Sequence, residues 1–337
     1  MIADGTLLLS RGEVERLLSI EACIDAVENI FRLQGQGKVP APGILGVKAA
    51  HGGLHVKAGL LPGAKNYIVA KLNSNFPGNR AANDLPTIQG LVVLYDGDNG
   101  RPLAVLDSID ITIKRTAATS AVAAKYLARP DSAVATLCGC GQQAVAHLRA
   151  LRTILPLRKI HAFDSDQETA DAFAAKLRGE LEIEIECAGD LKVALGASDV
   201  CVTCTTAKTF FIRKEDVTPG TFIAAVGADD VHKQEIDPAL MASAKIVADS
   251  LEQCCTIGDT HHAIAAGLMR KEDVYAELSE IVASLKDGRA SDDEIIIFDS
   301  TGIALEDAVA AVAVYEQACQ RGNASQFQFD ATKELRA

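Results

Sequence analysis

The segment Leu137–Leu148, "LCGCGQQAVAHL", admits two readings that lead to different proteins. Its cysteines, Cys138 and Cys140, flank a glycine as a metal or redox pair does. The same letters also spell G-x-G-x-x-A, from Gly139 through Gly141 to Ala144. In a nucleotide-binding βαβ unit the first glycine permits a tight turn after the strand, and the second lets backbone approach a pyrophosphate. The third small residue lets the next helix pack on the sheet, so the phosphates meet that helix's positive end, at Gln142 and Gln143.

Alone the pattern is weak, and its surroundings decide. "SAVATLC" (132–138) reads as a strand, "QQAVAHLRALRTIL" (142–155) as a helix stopped by Pro156, and "KIHAFD" (159–164) as a second strand. Asp164 stands near the spacing expected of a carboxylate that binds the ribose 2′-hydroxyl, with Ser165 beside it. Its charge repels a 2′-phosphate, which selects NAD over NADP. The metal reading fares worse, because one intervening residue is too few for a zinc pair. "DVCVTCT" (199–205), with Cys201 and Cys204, alternates as a strand, and free cysteine is a common core residue. His261 and His262 are expected to point in different directions from a helix. No metal is expected.

Working outward, the chain from about residue 120 alternates strands and helices. After "SDQETADAFAAKLRG", where Ser165 and Glu168 fit a capping box, come "EIEIEC", a short helix from Asp190, "DVCVTCT", "FIAAVG", "KIVADS" and "EIIIFDS". Apolar strands separated by helices imply parallel pairing buried on both faces. The earlier chain differs. "SIEACIDAVENIFRLQGQG" (19–37) has helical apolar spacing, with Ser19 as N-cap and Gly35 and Gly37 as stop. "GLHVKAGLL", "NYIVAKLNS", "GLVVLYD" and "PLAVLDS" then read as short strands, the last two joined by the turn "DGDNGR". An antiparallel or mixed sheet follows. The tail "FDATKELRA" (329–337) reads as a solvated end.

The 337 residues are 48% apolar and 23% charged, with net charge −12. That is ordinary globular material with an acidic surface, which disfavours nucleic acid as a partner. No apolar run approaches a membrane span, and the N-terminus lacks a basic leader region. The nine cysteines are therefore expected as reduced thiols in a cytoplasmic compartment.

Ligand chemistry in such folds follows strand ends. Asp229 comes just after an apolar strand and a glycine, where a carboxylate accepts a proton or orients an amine or water; the alternative is a turn or cap, for it or for Asp230. Lys71 interrupts a β run. It either faces solvent or binds a carboxylate and, with a lowered pKa, donates a proton. Lys57 has the same pair of readings. Arg115, just before a helix-like run, suits a bidentate hold on a carboxylate or a phosphate.

Several ordered blocks, "KLNSNFPGN", "LAVLDSIDITIKRTAATSAVAAKYLA", "GCGQQAVAHL", "AVGADDVHKQEID" and "FDSTGIALEDAVAA", resemble those of the ornithine cyclodeaminase and mu-crystallin family, from about residue 10 to 320. The resemblance implies an α/β fold in which a Rossmann NAD-binding domain (118–303) is inserted in a smaller α+β substrate-binding and dimerisation domain (1–117 plus 304–337). It implies a homodimer. It gives Lys71 and Asp229 catalytic roles, and Arg115, Lys57 and Asn79 substrate contacts. Cofactor contacts are implied for Arg115, Thr116, Thr203, Thr205, Val226, Gly227, Ala228, Lys233, Ser300 and Thr301, beside the glycine turn and Asp164. One departure is that Ile44 of "APGILGVK" stands where many members place a carboxylate-binding arginine, so Lys57 is the candidate substitute.

Three functions follow as expectations. The first is an NAD-dependent oxidoreductase of amino-acid metabolism, an imine reductase or amino-acid dehydrogenase acting on a small amino or imino acid. The second is a cyclodeaminase, a lyase that uses NAD catalytically and releases ammonia. The third, of another class, is a carrier or sensor that binds the dinucleotide without turnover.

Overall fold

Ser19 does what its position predicts: its hydroxyl accepts the Ala22 N–H at 3.1 Å and opens a sixteen-residue helix. The computed structural model describes residues 5–322 and 324–329, so most of the charged tail lies outside the described residues. The chain divides into two units, one ending at Arg115 and resuming at Ala304, the other running from Thr116 to Ile303.

The first unit opens with β1 (Thr6–Leu9), α1 (Arg11–Leu17) and α2 (Ile20–Gly35). The apolar stripe Cys23, Ile24, Val27, Ile30 and Phe31 of α2 is buried. Gly37, at φ 68°, takes the left-handed turn beyond the helix end. A meander follows: β2 (Gly43–Ala49), β3 (Gly52–Leu61), β4 (Tyr67–Asn75), α3 (Asn79–Asn83), β5 (Ile88–Asp96) and β6 (Pro102–Asp107). The strands from β2 to β6 pair antiparallel, while β1 joins β6 in parallel, so the sheet is mixed. The register sets Ile44, Lys57, Lys71, Val92 and Leu106 in one row across it. Residues directly opposite share a face. β2 is a strand that apolar alternation does not reveal, because all seven of its residues are exposed. The helix α4 (Ile109–Leu127) carries the chain into the second unit.

The second unit begins with β7 (Val134–Cys138), α5 (Gln142–Ile154), β8 (Lys159–Phe163), α6 (Gln167–Leu181), β9 (Glu184–Cys187), α7 (Leu191–Gly196) and β10 (Val200–Thr203). It continues through β11 (Phe222–Ala225), α8 (Pro238–Met241), β12 (Lys245–Ala248), α9 (Leu251–Ile257), α10 (Asp259–Ala265), β13 (Ala276–Glu277), α11 (Leu278–Val282) and β14 (Ile296–Asp299). All its strands pair in parallel, in the order β13-β12-β14-β11-β10-β7-β8-β9. The central strands β10, β11 and β14 are buried at every position, as two covered faces require. Starting at β7 the chain builds outward through β8 and β9, then restarts on the other side at β10. That reversal is the switch point of a doubly wound Rossmann sheet. The N-cap of α6 is Asp166, not Ser165: its carboxylate accepts the Glu168 N–H at 3.2 Å, one residue later than the capping-box pattern indicates.

The chain then returns to the first unit through α12 (Ala304–Arg321), which packs on α2, β3 and β4, and β15 (Ser325–Phe327), which pairs antiparallel with β1. No described helix is long and apolar enough to cross a membrane. Phe298 of β14 is fully buried. Phe298→Ala is expected to lower unfolding free energy by about 3–5 kcal/mol through lost transfer and a cavity, read as an earlier urea midpoint.

Candidate functional site

In the first unit the only lysine pair of the sheet row is Lys57 and Lys71, facing each other from β3 and β4. Lys71 is buried, and its Nζ sits 2.6 Å from Oδ2 of Asp307 in the first turn of α12. Arg115, also buried, donates from Nε to Asp307 Oδ1 at 3.0 Å and from Nη1 to Glu306 Oε2 at 2.6 Å. Asp307 thus bridges the two cations. Burial is the strongest influence on Lys71 and lowers its pKa. Asp307 opposes that, Arg115 and Lys57 add to it, and the ammonium titrates at about 8. Burial also opposes the charge of Arg115, but Asp307 and Glu306 outweigh it and raise its pKa above the ordinary value. The result is a dry cluster that holds an ionised Arg115 against two carboxylates while leaving Lys71 poised to lose a proton near neutrality.

In the second unit the loops after β7, β8 and β10 enclose a cavity of about 540 Å³, lined by Gly139, Gly141, Asp164, Ser165, Cys204 and Thr205 among others. Gly139 has φ 91°, and a Cβ there would lie 3.0 Å from both the Cys204 carbonyl oxygen and Thr205 Cγ2. Glycine is required by conformation and by space. At Gly141, the N-cap of α5, an added Cβ would meet nothing within 4 Å, so the approach to the helix end is open. The first turn of α5 holds no acid, and Ala144 is fully buried against the sheet. Asp164 Oδ2 accepts the Cys140 N–H at 2.8 Å and Oδ1 the Asp166 N–H at 3.0 Å, which fixes the carboxylate at the cavity's edge. Gln143 Oε1, in the first turn of α5, and Thr301 Oγ1, just beyond β14, are buried without a hydrogen-bond partner among the described residues, and neither residue lines the cavity. An uncovered helix N-terminus and a carboxylate for a sugar hydroxyl, both at the edge of the cavity, together fit a dinucleotide.

Other expected residues sort themselves by what they touch. Asp229 is exposed and accepts from Lys233 Nζ at 2.5 Å. The local turn belongs to Asp230, whose Oδ1 accepts the His232 N–H at 3.0 Å. Thr203 ends β10, buried; Val226, Gly227 and Ala228 follow β11; Thr116 is buried in α4. Ser300 donates to Asp249 Oδ2 at 2.9 Å. Asn79 spends its amide on its own loop, donating to the Pro86 carbonyl at 3.2 Å and accepting from Asn83 at 3.1 Å. Ile44 is exposed at the far end of the lysine row, so no cation extends that row beyond Lys57. His261 and His262 do not diverge: their rings meet edge to face at 5.2 Å, and His262 Nε2 donates to the Lys233 carbonyl at 2.8 Å. All nine cysteines are free. Sequence reasoning missed the acids: Glu306 and Asp307, and the buried Glu235, Asp249, Asp259 and Asp299. Two adjacent acids opening an alanine-rich apolar helix were the available signal for the first pair.

The sheet order and the glycine turn define a dinucleotide-binding protein of the Rossmann class. The profile of the ornithine cyclodeaminase/mu-crystallin family matches residues 5–322, and the chain belongs to that family. It is similar to an archaeal alanine dehydrogenase dimer with bound NAD, at 38% identity and TM-score 0.92, covering 96% of this chain and 99% of that one. It is also similar to the iminosuccinate reductase of Paracoccus denitrificans in complex with NAD+, at 33% identity and TM-score 0.90 over 96% and 100% of the two chains. A third similar structure is the Delta(1)-pyrroline-2-carboxylate reductase of Thermococcus litoralis with NADH and L-proline, at 32% identity and TM-score 0.88 over 96% and 100%.

Because Asp307 supports the Lys71 charge, Asp307→Asn should move the Lys71 titration below about 8, followed by NMR of 13Cε-labelled lysine. Breaking the buried pair should also lower unfolding free energy by about 3–5 kcal/mol.

Proposed function

We propose that this protein is an NAD(H)-dependent oxidoreductase acting on the C–N bond of a small amino or imino acid, as an imine reductase or amino-acid dehydrogenase. The observation that carries the reading is Asp164, locked by two backbone amides beside an open helix terminus, where it suits a ribose diol and repels a 2′-phosphate. Family membership and the NAD or NADH in similar structures support the same cofactor. In this reading residues 118–303 bind the nucleotide, and 1–117 with 304–337 bind substrate.

When bound, NAD(H) exchanges a hydride with the carbon that bears nitrogen. Lys71 attracts the substrate carboxylate and, titrating at about 8, passes a proton to or from the substrate. Arg115, tied to Glu306 and Asp307, supplies fixed positive charge behind it. Lys57 stands opposite Lys71 in the row whose end, Ile44, carries no charge. Asp229 takes the proton of the amine or of water, oriented by Lys233. The protein's share is positioning and electrostatics.

The dimer belongs to the same proposal. On the sheet face opposite Lys71, Leu45, Val47, Ile68, Leu91 and Tyr95 are exposed at 36–59% of their full areas, a patch suited to a second copy. Nine free cysteines favour a reducing, cytoplasmic compartment.

A screen of NADH oxidation with cyclic imines, and with 2-oxo acids plus ammonia, should show net consumption of NADH. Ammonia release from ornithine with only catalytic NAD would replace the reductase reading with a cyclodeaminase. NADH binding without any turnover would leave a carrier. Lys71→Ala should abolish turnover and spare NADH binding. Asp164→Ser should weaken NADH far more than NADPH, and equal losses would reject the ribose role. Sedimentation of Ile68→Glu/Leu91→Glu should show monomer where the native chain shows dimer.

A further inference from the structure

Glu235 lies outside every element of regular structure, is fully buried, and among the described residues has no side-chain cation as a hydrogen-bond partner. Its two oxygens accept two backbone amides that belong to different loops. Oε1 accepts the Thr205 N–H at 2.7 Å, and Oε2 the Gly227 N–H at 2.9 Å. Thr205 lines the nucleotide cavity, with its Cγ2 against the place where Gly139 tolerates no Cβ. Gly227 begins the turn that presents Asp229, whose N–H donates to the Gly227 carbonyl at 3.1 Å. One carboxylate therefore joins the β10 loop to the β11 loop.

Glu235 is itself clamped. Asp259 Oδ1 accepts both the Glu235 N–H at 2.9 Å and the Ile236 N–H at 3.0 Å. Asp299, at the end of β14, accepts the Thr260 N–H at 2.8 Å and the Thr260 hydroxyl at 2.6 Å. Burial raises the pKa of Glu235, Asp259 and Asp299, the last to about 7, and the hydrogen bonds that Glu235 receives, those from the Thr205 and Gly227 amides among them, oppose the rise. Gly227 records the same constraint from the other side. A Cβ there would fall 2.4 Å from Glu235 Oε1, closer than any real contact.

We infer that Glu235 is a positioning residue: its carboxylate sets the spacing between the nucleotide-lining loop at Thr205 and the turn that carries Asp229, so it governs cofactor affinity and turnover together without touching either ligand. This deepens the proposed function and rests on it for the identity of the ligand. A glutamine keeps the shape but offers one acceptor and one donor, leaving one of the two amides facing an N–H.

The test uses the full-length protein. Glu235→Gln should raise the NADH dissociation constant by about tenfold or more, the size expected for a lost charge-assisted hydrogen bond. It should lower kcat, while KM for the imino or oxo acid, held by Lys71, changes by less than about twofold. Amide hydrogen exchange should speed up at 203–209 and 226–230 and not across the sheet. Gly227→Ala, which displaces the carboxylate without removing it, should act in the same direction. Glu235→Asp should weaken NADH binding in the native background and strengthen it in Gly227→Ala, because the shorter side chain makes room for the methyl group. Unchanged exchange in both segments, or a uniform rise over the whole unit with NADH affinity and substrate KM shifting alike, overturns the inference. If the native protein binds no NADH, the functional proposal fails, and the exchange pattern still decides the role of Glu235.

Discussion

The reversal of strand order between β7 and β10 is the constraint on which the second unit depends. Right-handed crossovers send successive helices to one face of a parallel sheet, and restarting from the middle sends the next ones to the other. Loops from the two central strands then part, and no connection fills the gap between them. A backbone that turns sharply enough to leave that gap open needs glycine at 139, and a helix end left uncovered needs something negative. The amides of Thr205 and Gly227, both bound to Glu235, tie the β10 loop to the β11 loop beside it. Topology makes the crevice.

The first unit solves a different problem. Two cations are buried where hydrophobic packing alone would exclude them, and their carboxylates come from a helix far away in sequence. Such a cluster is poor material for stability, since desolvation takes back most of what Coulomb attraction supplies. Its use is chemical. Burial shifts one lysine toward neutrality while the fixed carboxylates pin the neighbouring arginine, which water at the surface does not do.

Legibility followed locality. The glycine turn, Asp164, the Ser19 cap and the apolar strands of the second unit are written in neighbouring residues, and each stands where its pattern places it. β2 escaped because an exposed edge strand needs no apolar alternation, and all seven residues of "GILGVKA" are exposed. The capping box slipped by one position because Asp166 accepts the Glu168 N–H and the Thr169 hydroxyl, while the Ser165 hydroxyl is turned to Asp164. Glu306 and Asp307 look like residues that complement a helix dipole; only the fold brings Arg115 to them, 191 and 192 positions away. Glu235 sits in a loop whose letters give no period, so its role existed only in three dimensions.

The split of the first unit across the two ends of the chain has a consequence for biosynthesis. On the ribosome Arg115 emerges 192 residues ahead of Asp307, on the order of ten to forty seconds at ~5–20 residues per second. The meander must wait with Lys71 and Arg115 still hydrated, because neither can be desolvated before its counter-charge is made. The nucleotide-type unit, contiguous from Thr116 to Ile303, has all its strands in hand first. In the nascent chain α12 and β15, the strand that pairs with β1, are therefore the last elements of the first unit to be made.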